Sequence, residues 1–371
     1  MLKLSRPNIS EAAIDSVAKV IRSGQLVHGQ ECEIFERELT SYLGCTDVVL
    51  VSSGTAALHI ALLALDIGPG DAVIVPDFTF PATANVIAIL GARVVIVDVL
   101  PNTYTMDAVQ LERVIKDWEG PEHLRAILPV HEFGCVADIE EINRIAQRHG
   151  LAVVEDAACA LGAQLGQCKV GARGKATCFS FHPRKTLTTG EGGAIATDNV
   201  EFATRMRRLR NHGMERSAEG MRFFEPATNY RLTNFQAALG RHQLPMLDEW
   251  ISARRLLVKE YLIAMQPLVE QGFLQCPEWR EGHSWQTYMV VLDANFDRKE
   301  IISKLREQGV ESNLGAQSLV SIGIYGEQQI KPVIGPVLYE QGLALPLFEL
   351  MNKTDVHRVC HVITQILLDS K

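Results

Sequence analysis

Val48-Val49-Leu50-Val51-Ser52-Ser53-Gly54-Thr55-Ala56-Ala57-Leu58 decides the architecture. Four aliphatic residues in a row, three of them β-branched, make a short strand with no polar face. A small polar turn follows. The apolar run over residues 56–65 is then too long and too rich in Ala and Leu for a second strand, and it reads as a helix. A strand that is apolar on both sides must be buried on both, and the helix after it supplies one cover. The pattern recurs outward. Ala72-Val73-Ile74-Val75 is ended by Pro76 and followed by a helix over residues 81–90. Val94-Val95-Ile96-Val97 ends at Asp98, before a helix over residues 106–118. Residues 126–130 precede a helix over 139–148, and Leu151-Ala152-Val153-Val154 ends in Glu155-Asp156. Two further β runs, 177–181 and 194–197, flank a polar, Gly-rich turn. A charged helix with Arg205, Arg207, Arg208 and Arg210 follows. Upstream, Ser10 stands where it would cap a helix carrying Ile14, Val17 and Ile21. Strands alternating with helices in this way predict an α/β fold with a mostly parallel sheet covered on both faces.

The rest of the chain reads as a second, smaller unit. A long helical stretch over residues 234–265 forms the connection, with a kink expected at Pro245. From about residue 285 the pattern restarts. Tyr288-Met289-Val290-Val291-Leu292 is a strand, and Asp297 with Glu300 resembles a capping box opening a helix through Leu305. A last helix carries Val356, Val359, Ile363 and Ile366 on one face. The 371 residues exceed the roughly 250–300 at which single cores stop growing. We therefore expect a large domain over residues 1–247 and a small α/β domain over 248–371.

Composition removes several classes of function. With 47% hydrophobic and 22% charged residues the chain is neither disordered nor fibrous. A formal net charge of −8 argues against a non-specific nucleic-acid binder. The eight cysteines are scattered without a C-x-x-C pair, which fits reduced thiols in a cytoplasmic protein. The N-terminus has no apolar signal segment, and no stretch reaches the ~18–20 apolar residues of a membrane span. His131 and Glu132 are adjacent, and no His pair has metal-ligand spacing, so no metal site is expected.

Four places could carry chemistry. In Phe181-His182-Pro183-Arg184-Lys185-Thr186-Leu187-Thr188-Thr189-Gly190-Glu191-Gly192-Gly193 a lysine sits in a turn between two strands. Read alone it is an ordinary solvated lysine, or a Schiff-base nucleophile if its surroundings lower its pKa. Ser52-Ser53-Gly54-Thr55 opens a helix, where unpaired amides suit a phosphate or a plain Ser/Thr cap. Glu155-Asp156 ends a strand at the edge where open α/β sheets bind ligands. An acid there would hold a protonated ring nitrogen or cap the next segment. Phe80 would face a flat ligand or pack in the core. Phosphate cradle, ring acid, aromatic and lysine together are what pyridoxal phosphate requires.

The chain resembles the nucleotide-sugar aminotransferases of the DegT/StrS type, fold-type-I enzymes that use pyridoxal phosphate. The residues that carry the resemblance run almost end to end. They include Ser53-Gly54-Thr55-Ala56-Ala57-Leu58, Thr79-Phe80-Pro81-Ala82-Thr83-Ala84-Asn85, Val130-His131 with Gly134, and Glu155-Asp156-Ala157-Ala158. The lysine segment, Asn211-His212-Gly213-Met214, Asn229-Tyr230-Arg231-Leu232-Thr233 and Leu345-Pro346-Leu347 complete them. The resemblance implies a seven-stranded, mostly parallel sheet in the large domain. It implies that Lys185 forms the cofactor's aldimine and that Asp156 partners the pyridine nitrogen. It places Phe80 on the ring and Gly54, Thr55 and Ser180 on the phosphate. Asn229 would reach the phosphate of the neighbouring subunit, which makes the active unit a homodimer. Cys159, His182, Tyr230 and Arg231 would lie near the substrate. The activity implied is transfer of an amino group, from L-glutamate to a keto sugar on a nucleoside diphosphate, through the pyridoxamine phosphate form.

Two departures bear on the substrate. Many members carry Gln or His where this chain has Cys159, and a thiol hydrogen-bonds poorly. Many also carry a Tyr-Pro-Pro-Leu-His-like stretch where this chain reads Asn313-Leu314-Gly315-Ala316-Gln317-Ser318-Leu319. The alternatives are amination of a keto-cyclitol, dehydration of a nucleotide sugar, or a non-catalytic regulator on the same scaffold.

Overall fold

A computed structural model describes residues 1–370. Seven strands form the main sheet: β1 (Asp47–Val51), β2 (Asp71–Pro76), β3 (Arg93–Val97), β4 (His123–Ile127), β5 (Ala152–Asp156), β6 (Ala176–Ser180) and β7 (Gly193–Thr197). Their order is β1-β7-β6-β5-β4-β2-β3. Only β7 runs against the rest, antiparallel to both β1 and β6. The reason is local. The connection from β6 to β7 contains no helix, and a parallel neighbour needs a crossover.

Helices close both faces. Gly54–Ala64 is apolar all round and buried accordingly, with Ala57, Ile60, Ala61 and Leu62 fully inaccessible. It packs between the sheet and helix Val200–Arg210. Ala108–Lys116 and Ile139–His149 cover β2, β3 and β4 from the other side through Leu111, Val114, Ile142 and Ile145. Helix Gln30–Leu43, an element beyond those expected from the sequence, buries Cys32, Phe35, Leu39 and Leu43 against β1 and helix Asn234–Arg241. Ser10 caps helix Glu11–Ser23 as expected, its side chain accepting from the Ala13 amide.

At Pro245 the expected kink is a complete break. Helix Asn234–Arg241 ends, a 3-10 turn spans Leu244–Met246, and a new helix runs Leu247–Glu270. Beyond it β8 (Leu274–Gln275), β9 (Tyr288–Leu292) and β10 (Gly342–Leu345) form a three-stranded antiparallel sheet. Helices Arg298–Glu307 and Lys353–Asp369 pack on this unit, with Val356, Val359, Ile363 and Ile366 in its core. Asp297 caps the first of these by accepting from the Lys299 and Glu300 amides, but the box is half-built. Glu300 turns instead to Lys304, 2.7 Å away.

Two of the contacts between the units stand at the ends of the parallel strands. Gln317–Ser318 pairs with the two-residue strand Phe78–Thr79. The N-terminus of helix Ile334–Gln341 sits on Asp98, whose carboxylate accepts from the amides of Val333, Ile334 and Gly335 at 2.6–2.9 Å. Both contacts lie where the parallel strands end, and there the candidate residues gather.

Candidate active site

Glu155 and Asp156 are consecutive on β5, so their side chains leave on opposite faces. Asp156 is 5% exposed. Its Oδ2 accepts from Thr83 Oγ1 at 2.8 Å and its Oδ1 from the Ala158 amide at 3.0 Å. Thr83, fully buried in the first turn of helix Ala82–Ile89, is itself bonded to Thr79 Oγ1 at 3.0 Å. Glu155 is occupied elsewhere. Its Oε2 lies 2.8 Å from His131 Nε2, and its Oε1 accepts from Thr177 Oγ1 at 3.1 Å. Since His131 Nδ1 accepts from the Ala137 amide, the ring proton belongs on Nε2 and points at Glu155. This buried pair braces the strand, and Asp156 is the carboxylate that borders the lysine.

Lys185 lies in the loop from β6 to β7, half-buried, with its Nζ 3.0 Å from Cys159 Sγ. Its loop is tied down from several sides. Gln243 brackets Thr188 with two hydrogen bonds, and Gln286 of the second unit donates to the Arg184 carbonyl at 2.7 Å. Burial alone would pull the lysine down. Cys159, Asp156 and Glu132 push it up and prevail, leaving it above the ordinary lysine value. Burial raises the Cys159 thiol, against the pull of Lys185.

Glu132 is a further acid at this site, beyond those expected from the sequence. It is 5% exposed, and burial pushes its carboxyl to about 8 against the pull of Lys185. Thr83 is a second omission. The sequence signal for either was weak, because neither stands beside its partners in the chain.

The anion cradle is built by close approach. Ser53 caps helix Gly54–Ala64, its Oγ accepting from Ala56, which leaves the Gly54 and Thr55 amides at the positive end of the helix. A Cβ on Gly54 would stand 2.8 Å from Ser180 Cβ, and one on Gly193 would stand 2.6 Å from the Ser53 carbonyl. Only glycine lets the ends of β1, β6 and β7 meet here. Phe80, 64% exposed, follows Phe78–Thr79 at the same edge.

The other residues singled out lie as follows. His182 Nδ1 accepts from the Arg184 amide, and burial lowers its ring, opposed by Glu191. The Tyr230 hydroxyl is 3.0 Å from His59 Nδ1, and Arg231 Nη1 donates to Asn211 Oδ1 at 2.6 Å. Asn229 is exposed. The Ser52 amide donates to the Tyr230 carbonyl at 2.8 Å, so residues 229–231 border the cradle of their own chain. Among the described residues no group of His, Cys, Asp and Glu could hold a metal ion. None of their helices is long and apolar enough to cross a membrane.

Residues 7–364 match the profile of the DegT/DnrJ/EryC1/StrS aminotransferase family. The chain belongs to that family. It is an aminotransferase, and the fold-type-I architecture is the one expected. Among solved structures it is similar to a DegT DnrJ EryC1 StrS aminotransferase from Brucella abortus. The two are 31% identical with a TM-score of 0.87, over 96% of this chain and 95% of the other. DesV of S. venezuelae, solved in complex with a ketimine intermediate, is 32% identical with a TM-score of 0.86, over 96% and 94%. A Streptococcus pneumoniae protein described as a sugar aminotransferase, solved in its PMP-form, is 25% identical with a TM-score of 0.91, over the whole of both chains.

Proposed function

We propose that this aminotransferase uses pyridoxal phosphate to move an amino group from L-glutamate onto a keto group of a nucleotide-linked deoxy sugar. Its products would be amino sugars for polysaccharide, O-antigen or glycosylated natural products, made in the cytoplasm. The observation that carries the reading is the convergence of Lys185, Asp156 and the Gly54–Ser180 cradle on one sheet edge. The fit to the cofactor is chemical. A helix N-terminus and a cradle that tolerates no side chain suit a phosphate, a doubly hydrogen-bonded carboxylate suits a ring N–H, and an exposed phenyl suits a flat ring. A structure of the S. pneumoniae relative is described as its PLP-form, and that relative is described as a sugar aminotransferase. Both descriptions support the reading.

Bound there, pyridoxal phosphate supplies a sink for the electrons released when a C–H bond next to nitrogen breaks. The chain does the rest. Gly54 and Thr55 amides with the Ser180 hydroxyl hold the phosphate, and Phe80 covers the ring. Asp156, fixed by Thr83 and Ala158, keeps the ring nitrogen protonated. The Lys185 amine moves the proton between carbon atoms, and Cys159 Sγ orients that amine. Asn229 reaches the phosphate of the neighbouring subunit in a homodimer. We take residues 1–247 and 248–371 as the two domains, a division supported by the separate apolar core around β9.

The test is a panel of nucleotide-linked keto sugars with glutamate, the products identified by mass and NMR. An aminated nucleotide sugar is expected. Turnover of free keto-cyclitols alone, or release of water without nitrogen transfer, would overturn the substrate assignment.

A further inference from the structure

Glu132 is an acid that the function above does not use. The turn that carries it is clamped. Phe133 holds a left-handed φ of 55°, and Gly134 follows at φ 94°, where a Cβ would meet Ser284 Oγ at 2.1 Å. The Ser284 amide donates to the Gly134 carbonyl and the Gln286 amide to the Phe133 carbonyl, at 3.1 and 2.9 Å. Glu132 is 5% exposed, a Cβ on the neighbouring Gly134 would lie 3.0 Å from the Cys159 carbonyl, and the Glu132 charge is felt by Lys185 and Cys159. Among the described residues no side chain hydrogen-bonds its carboxyl, which is served only by the Phe133 amide. A buried acid with so little support costs stability, and strained, costly groups of this kind cluster at working sites.

We propose that Glu132 is a second acid of this active site, whose carboxyl protonates the substrate's keto oxygen as that oxygen leaves as water. The proposal rests on the aminotransferase reading and deepens it. Amination exchanges oxygen for nitrogen: a ketone and a primary amine give an imine and water. The carbonyl π bond opens as the C–N bond forms, and the oxygen takes up one proton from the attacking nitrogen. As the C–O bond breaks, that oxygen takes its second proton from the Glu132 carboxyl. The carboxylate left behind recovers a proton from the remaining N–H. Both hydrogens of the water therefore come from the amine, and no other reactant is needed.

The other groups in the cleft are committed. Asp156 accepts two hydrogen bonds. Lys185 serves the carbon-bound proton, and burial keeps the Cys159 thiol a weak acid. His131 has both ring nitrogens engaged, and His283 on the clamping segment is stacked on Trp285 at 3.7 Å. Burial pushes the Glu132 carboxyl to about 8, which keeps its proton available at neutral pH.

The test pairs two readouts on Glu132→Gln. In the holoenzyme, kcat should fall about 10²–10⁴-fold, the usual worth of a general acid. Wild-type kcat should decline as pH rises through about 8, and the variant should lack that limb. In the apoprotein, infrared spectra should show a protonated-carboxyl band that fades through the same pH range and is missing from the variant. Glu132→Asp, should the Gln protein not fold, must keep the limb and the band at reduced rate. A Gln variant, or failing it an Asp variant, with wild-type kcat and an unchanged pH profile overturns the proposal. So does a wild-type apoprotein without the band at pH 6.5. If the wild type itself transfers no amine to any keto sugar while the band is present, the functional reading fails instead.

Discussion

Replacing Thr83 by valine should slow amino transfer about tenfold without emptying the cofactor site. The substitution keeps the shape of a fully buried side chain and removes one hydroxyl. That hydroxyl donates to Asp156 Oδ2 at 2.8 Å, one of two hydrogen bonds that fix the carboxylate. A hydrogen bond to a charged group is worth about 1.5–3 kcal/mol. Were all of it expressed at the transition state, kcat would fall by about 10–150-fold, at 1.36 kcal/mol per factor of ten. The Ala158 amide still holds Oδ1, so the lower end applies, and Asp156→Asn should be much slower than either limit. The valine also strands the Thr79 hydroxyl, which costs stability by about 1–3 kcal/mol. The double variant Thr79→Val/Thr83→Val separates the two effects: it should recover the denaturation midpoint and not kcat. Steady-state kinetics, cofactor absorbance and urea unfolding on the three proteins measure all of this. A Thr83→Val enzyme with wild-type kcat, or a double variant that regains kcat, would refute the idea that this hydroxyl works through Asp156.

Lys185→Ala should fold and show no turnover, and borohydride reduction of the loaded wild type should label the peptide containing Lys185; a label on Lys169 or Lys175 would reject the assignment. Co-refolding Lys185→Ala with an inactive Asn229→Arg variant should restore up to about a quarter of wild-type activity, since half of randomly paired dimers are mixed and each has one whole site. No recovery, with mixed dimers confirmed by mass, would mean that each chain holds its own site. Glu349→Gln should destabilise the protein by about 3–5 kcal/mol in urea unfolding, because it strands Arg254, whose side chain is 2% exposed and 2.9 Å from Glu349; a shift under about 1 kcal/mol would show that water reaches the pair.

The main strands are legible where a run of apolar residues is cut short, β2 by Pro76, β3 by Asp98 and β1 by the Ser52-Ser53-Gly54 turn. β4 was the least well read. It was placed at 126–130 and runs His123–Ile127. Its first half alternates with exposed polar residues, and beyond it Pro129 has no amide to give the ladder. Helix Gln30–Leu43 did leave a signal, since Cys32, Phe35, Leu39 and Leu43 recur at helical spacing. The hairpin Met214–Ser217/Gly220–Phe223 left none, because most of it is exposed and no burial pattern marks it. Within the site, the lysine turn, the cradle glycines and the Glu155-Asp156 pair were visible as motifs. Their supports were not. Thr83 lies 73 positions from Asp156 in the chain, and only the fold brings them together.

Glu132 shows why spacing alone cannot rank acids. In sequence, Glu155 and Asp156 stand together at a strand end and Glu132 stands beside His131, and that spacing does not tell the three apart. In the fold each has a different partner, and the partner sets the chemistry. Glu155 faces a histidine on the braced side of β5, Asp156 holds two hydrogen-bond donors on the open side, and Glu132 has one amide and a lysine. The second unit completes that division of labour. Gln286 donates to the lysine loop through its side chain and, through its amide, to the carbonyl beside Glu132. Arg254 in turn donates to the Trp285, Gln286 and Leu347 carbonyls. One residue of the second unit, Gln286, therefore holds both the lysine loop and the turn that carries the acid, so the two are positioned by the same support.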